Sequence, residues 1–146
     1  MKNNARFALA LALATAAAAA CAHAPRGAEV PVMQTQEWKG AHDGPQTPST
    51  AIGNDAASWN ALWRALGRTP PELDLEKFVA VAVYAGERPT GGWRVSFSAA
   101  LRGDDLVVRW KILKPGGFST QVLTAPWAVQ TFPKPKGRVI LEAAPE

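Results

Sequence analysis

Phe78-Val79-Ala80-Val81-Ala82-Val83-Tyr84-Ala85-Gly86-Glu87-Arg88-Pro89-Thr90-Gly91-Gly92-Trp93-Arg94-Val95-Ser96-Phe97-Ser98 holds two strand signatures and the connection between them. Phe78 to Tyr84 is continuously apolar and rich in β-branched side chains, the pattern of a strand covered on both faces. Trp93 to Ser98 alternates apolar with polar, the pattern of a strand covered on one face. The connection is longer than a two-residue hairpin turn and is made of turn formers. Pro89 fixes φ at about −65°, and Gly91-Gly92 permits positive φ or close backbone approach. Such a loop can be a plain connector, or it can present Thr90 and Trp93 to a partner.

Towards the N-terminus lies one convincing helix. Asn54 or Asp55 can cap it, and Trp59, Leu62, Trp63 and Leu66 fall at i, i+3, i+4 and i+7 on one face. Gly67 suits the residue just past the helix end, and Pro70-Pro71 forbids continuation. Two tryptophans on one stripe can form a ligand platform, but the simpler reading is the face that packs on a sheet. Earlier still, Val32 to Trp38 alternates weakly, which suits an edge strand, and Thr50 to Gly53 reads as a short second strand after the His42-Asp43-Gly44-Pro45 turn.

Towards the C-terminus, Leu106 to Leu113 alternates after the Arg102-Gly103-Asp104-Asp105 turn, as the second half of a meander. Gln121 to Thr124 starts another extended segment, which Pro126 interrupts and Trp127 to Phe132 continues. A proline inside such a run suits a bulge or an edge strand. Lys136 to Glu142 reads as the last strand. The expected class is α+β: a mainly antiparallel sheet of about 5–7 strands with one amphipathic helix packed on it.

The 146-residue chain opens with a leader. Lys2 and Arg6 form a basic region, and Phe7 to Ala20 is an apolar run too short to span a membrane comfortably, so residues 1–20 read as a signal peptide. Ala18-Ala19-Ala20-Cys21 resembles a bacterial lipobox, with Ala18 where Leu is preferred, and makes Cys21 the lipidation candidate. The rival is ordinary secretion with cleavage after Ala24, which Pro25 disfavours. Residues 21–31 then form a lipidated N-terminus and tether, and 32–142 a single domain, facing the periplasm or cell surface from a membrane anchor. A lone Cys allows no internal disulfide, so the fold rests on its own core. Removing Lys2 and Arg6 lowers the formal charge of +4 by two, and no basic run is dense enough for nucleic acid.

Catalytic chemistry is hard to assemble. His23 falls in the tether and His42 in a turn, neither with metal-ligand spacing, and no nucleophile elbow, phosphate loop or HExxH is present. The expectation is a non-enzyme without cofactor or metal. Six tryptophans are more than a small core requires, and Trp93 and Trp127 stand beside loop residues. Tryptophan and arginine carry much of the binding energy at interfaces. Arg88, Pro89, Thr90, Gly91, Gly92, Trp93, Pro126 and Trp127 are therefore the candidate partner-binding residues.

These residues resemble the C-terminal domain of the PrcB family, accessory lipoproteins of bacterial surface protease complexes. The matching features are Trp59-x-x-Leu62-Trp63, Pro71-x-x-Asp74, Phe78 to Tyr84 with Gly86, and Pro89-Thr90-Gly91-Gly92-Trp93. Thr120-Gln121-x-Leu123-Thr124-x-Pro126-Trp127 completes them, and tryptophan stands at Trp93 and Trp127 where the family usually has tyrosine. The resemblance implies a non-catalytic subunit that binds an exported protease, or helps to stabilise or mature it. Arg88 to Trp93 is also reminiscent of a loop of chagasin-type cysteine-protease inhibitors, and Gly116-Gly117 and Ala125-Pro126-Trp127 faintly echo their other loops. Those two loops are too close in sequence for that sandwich, and the helix is foreign to it. A protease inhibitor and a structural envelope lipoprotein are the alternatives.

Overall fold

The computed structural model describes residues 35–145. The expected leader, Cys21, the expected tether and the start of the first expected strand at 32–34 lie outside the described residues. Seven strands and one helix follow in order: β1 (Glu37–Gly40), β2 (Ser49–Gly53), α1 (Ala56–Arg64), β3 (Phe78–Tyr84), β4 (Arg94–Arg102), β5 (Asp105–Leu113), β6 (Trp127–Pro133) and β7 (Val139–Ala143). The strands form two sheets, β1-β6-β3-β2 and β4-β5-β7. The class is α+β and mainly β, as expected, but the single sheet resolves into two. The second is mixed, because β7 runs parallel to β5.

The central strand explains the layering. β3 pairs with β2 on one side and β6 on the other. Its side chains split by parity: Ala80, Ala82 and Tyr84 join the cluster with the helix, whereas Val79, Val81 and Val83 meet the second sheet. Helix, first sheet and second sheet thus form three layers, and β3 is buried on both faces. The small alanines leave room on the helix side for Trp59 and Trp63, while branched valines fill the sheet-to-sheet gap.

Local chemistry sets the helix limits. Asp55 accepts from the Ser58 amide at 2.7 Å, and the Ser58 hydroxyl accepts from the Asp55 amide at 3.1 Å, a reciprocal capping box. The Ser58 amide, and the Ser58 hydroxyl donating to Oδ1 at 2.8 Å, hold the Asp55 carboxyl below the usual carboxylate range. Gly67 (φ 63°) ends the helix, with Gly67 N donating to the Arg64 carbonyl and Arg68 N to the Trp63 carbonyl. Trp59, Leu62, Trp63 and Leu66 are all buried. The Trp63 ring meets Trp38, Trp59 and Trp127 edge-on, at centroid distances of 5.5, 5.5 and 6.0 Å. Beneath them the Tyr84 hydroxyl donates to the Leu62 carbonyl at 2.8 Å, and burial pushes the phenol up to about 12.

Two strand readings change. Gln121–Thr124 is not a strand: of this segment only Thr124 bridges, to Arg88. β6 is neither bulged nor at an edge, since it lies between β1 and β3 in continuous register. Pro126 precedes the first ladder pair, so its missing N–H removes no strand bond, and its carbonyl accepts from Ala85 N at 2.8 Å. β1 is an edge strand, as expected, but it lies at Glu37–Gly40, later than Val32 to Trp38: Thr35 and Gln36 are not in a strand.

Candidate functional site

β3 and β4 do not pair. The chain between them passes from the middle sheet to the outer one, and the chain from β5 to β6 passes back at the same end. The Thr-Gly-Gly loop is therefore half of a double crossing between layers. The two crossings are bonded together: Arg88 N donates to the Thr124 carbonyl at 2.7 Å, Thr124 N returns to the Arg88 carbonyl at 3.0 Å, and Gly91 N donates to the Thr120 carbonyl at 2.9 Å. The Thr124 hydroxyl adds a bond to the Thr90 carbonyl at 2.8 Å. The segment after β1 closes the group, with Ala125 N donating to the Ala41 carbonyl and Glu87 N to the Gln46 carbonyl.

The glycine pair is explained by this contact. A Cβ on Gly91 would run into the Thr120 hydroxyl. Gly92 has φ 85°, and a Cβ there would lie 2.7 Å from Pro115. Trp93 is half-buried, and its Nε1 donates to the Thr90 hydroxyl at 3.0 Å. The Arg88 guanidinium stacks 4.9 Å from the Trp93 ring centroid and donates from Nη2 to the Ala85 carbonyl at 2.9 Å. Pro89 and Gly92 are exposed. The structure thus gathers Arg88 to Trp93 on one rim.

Trp127 and Pro126 do not join that rim as exposed contacts. Trp127 is 2% exposed, packed against Trp63, with Nε1 donating to the His42 carbonyl at 2.9 Å. Its position explains this. As the first residue of an interior strand, on the same face as Val129, it points towards the helix. Pro126 is likewise buried.

Sequence reasoning missed the most exposed apolar side chains. Phe118 is fully exposed, and Val122 and Leu123 are 53% and 63% exposed, all on the β5–β6 crossing. Leu101, at 36%, is the one other exposed large hydrophobic among the described residues. A signal was available. Phe118 follows Gly116-Gly117 and lies in a stretch with neither helical nor alternating period, so no element could bury it. Three of the four exposed large hydrophobics among the described residues thus fall within six positions of the chain.

Among the described residues, no group of three or more His, Cys, Asp or Glu lies close enough to hold a metal ion, and no helix is long and apolar enough to cross a membrane. No curated protein and no solved structure matches the chain. A family does match part of it. The matched segment runs from β3 through both crossings to the end of β6, and leaves out α1 with Trp59 and Trp63. Residues 79–133, and with them the paired loops, are similar to the family described as PrcB C-terminal.

Proposed function

We propose that this chain is an exported, lipid-anchored binding module, an accessory or stabilising subunit of a secreted or surface protease, with no catalytic role of its own. The observation that carries the reading is the position of the family match. It spans both loop crossings, and the same segment carries Phe118, Val122 and Leu123. In this reading the bonded rim of Arg88, Thr90 and Trp93 is a rigid base, and the apolar side chains beside it are the anchors that a partner buries. Lipidation at Cys21 holds the module at the membrane.

The test has two arms. Cys21→Ser should move the protein from the membrane fraction to the soluble periplasm or medium. Phe118→Ser combined with Leu123→Ser should abolish co-purification of an exported protease from the native host while leaving the melting temperature unchanged. Retained co-purification rejects the binding role of this surface. One observation favours inhibition as a second reading: the Thr-Gly-Gly loop lies against Pro115 and Thr120, which flank Gly116-Gly117, so two loops are presented together as a loop-presenting inhibitor requires. Stoichiometric loss of protease activity on adding the purified protein separates inhibitor from accessory subunit.

A further inference from the structure

The free edges of the two sheets are unequal. β1, β2 and β7 have four, five and five residues, whereas β4 has nine and lies at the edge of its sheet. β4 also lacks the devices that normally blunt a long edge. It contains no proline, its ladder with β5 runs unbroken from Arg94↔Leu113 to Arg102↔Asp105, and its charges stand only at its ends.

Cover of the layer beneath thins along this edge, from buried Val95, through Phe97 packed against Phe132, to exposed Leu101. On the inward face, Leu106 and Val108 of β5 are fully buried, but Phe97 of β4 is only half-buried and Leu101 is 36% exposed. At the start of the strand is a cleft of about 420 Å³, lined by Trp93, Arg94 and Val95 together with Lys39, Gly40, Ala41 and Trp127.

We propose that the free edge of β4 accepts an extended, acidic segment of a partner protein as an added strand, with one apolar side chain seated in the cleft beside Trp93 and Val95. Main-chain bonds along the edge supply affinity, and the cleft supplies selectivity. The charge pattern chooses the occupant. β4 carries Arg94 and Arg102 and no acid; Arg102 is paired with Glu142, and Lys39, which lines the cleft, with Glu37, so the carboxylate is favoured at Arg94. The same pattern disfavours a second copy: antiparallel pairing about Ser98 would set Arg94 against Arg102 twice. The inference does not depend on export or on a protease.

The experiment pans a phage-displayed library of random 12-residue peptides against the purified protein. The expected winners alternate β-branched or aromatic residues with polar ones and carry Asp or Glu. As synthetic peptides they should slow amide exchange in residues 94–102. Their affinity should fall at least tenfold on Arg94→Glu, which lies at an exposed strand end, and on N-methylation of alternate peptide amides. Winners that lack this pattern, survive either change, or protect 118–123 instead overturn the proposal. So does a concentration-dependent dimer with β4 protected, which assigns the edge to a second copy. Protection of β4 in the free monomer overturns it in favour of residues 21–34 of the same chain.

Discussion

Trp127 and Trp93 have similar sequence settings and opposite fates. Each follows a proline or glycine break, and each starts or precedes a strand. Trp127 enters an interior strand on the helix-facing side and is closed in by Trp63, with the Arg68 guanidinium 5.1 Å from its ring. Trp93 precedes an edge strand and is held at the rim by Thr90 and Arg88. Neighbouring turn residues do not decide whether an aromatic is core or surface. The strand's place in its sheet does.

The contrast can be broken most directly by truncation. Trp127→Ala should cost about 3–5 kcal/mol, as for large aromatics removed from packed cores, and Trp93→Ala about 1 kcal/mol, both read by urea unfolding. Equal losses would erase the distinction. Next in size is Gly92→Val, which forces a branched residue into positive φ and against Pro115. About 1–3 kcal/mol of destabilisation should result, with altered Trp93 fluorescence because the rim is displaced while the Trp127 cluster is not.

A pH titration sharpens the core side. The buried Tyr84 phenol is pushed up to about 12. Because its folded value is raised, its contribution is complete below the ordinary tyrosine value of about 10 and is lost as pH rises towards 12. Alkaline unfolding in that window should therefore shift in Tyr84→Phe. At the acid end, Asp105 accepts from the Arg138 amide at 2.7 Å and pairs with its guanidinium, which lowers its carboxyl. Its contribution is present above about pH 4 and fades below it, an effect that Asp105→Asn should remove. The smallest expected change is Phe118→Ser, within about 0.5 kcal/mol of wild type, because that ring packs on nothing.

Much of this molecule is legible in its residues, and the limits are physical. The β3 run, the capped helix and its tryptophan stripe carry strong local periods, and each forms where those periods place it. Periodicity reports which face of a strand is apolar but not which sheet the strand joins. The change of sheet between Tyr84 and Arg94 and the parallel pairing of Val139–Ala143 with β5 had no local signature. At the site, the Thr90–Trp93 loop was marked by its glycines, whose close approach to Thr120 and Pro115 accounts for them. Pro126 misled, because a proline one residue before a strand reads like one inside it. Phe118 escaped because it belongs to no pattern at all.

The pairing of β1 with β6 has a mechanical consequence. Residues before Thr35 join the described domain at the Glu37↔Gln130 end of that ladder, whereas the bonded loops gather at the Gly40↔Trp127 end. Were the N-terminus anchored and a partner gripped at the loops, as proposed above, tension would act along the strands. It would strain the four rungs together in shear instead of peeling them apart one at a time. Forced detachment is governed by the rate of unfolding. A short terminal strand can thus hold against a load that would strip it if the pull came from the side.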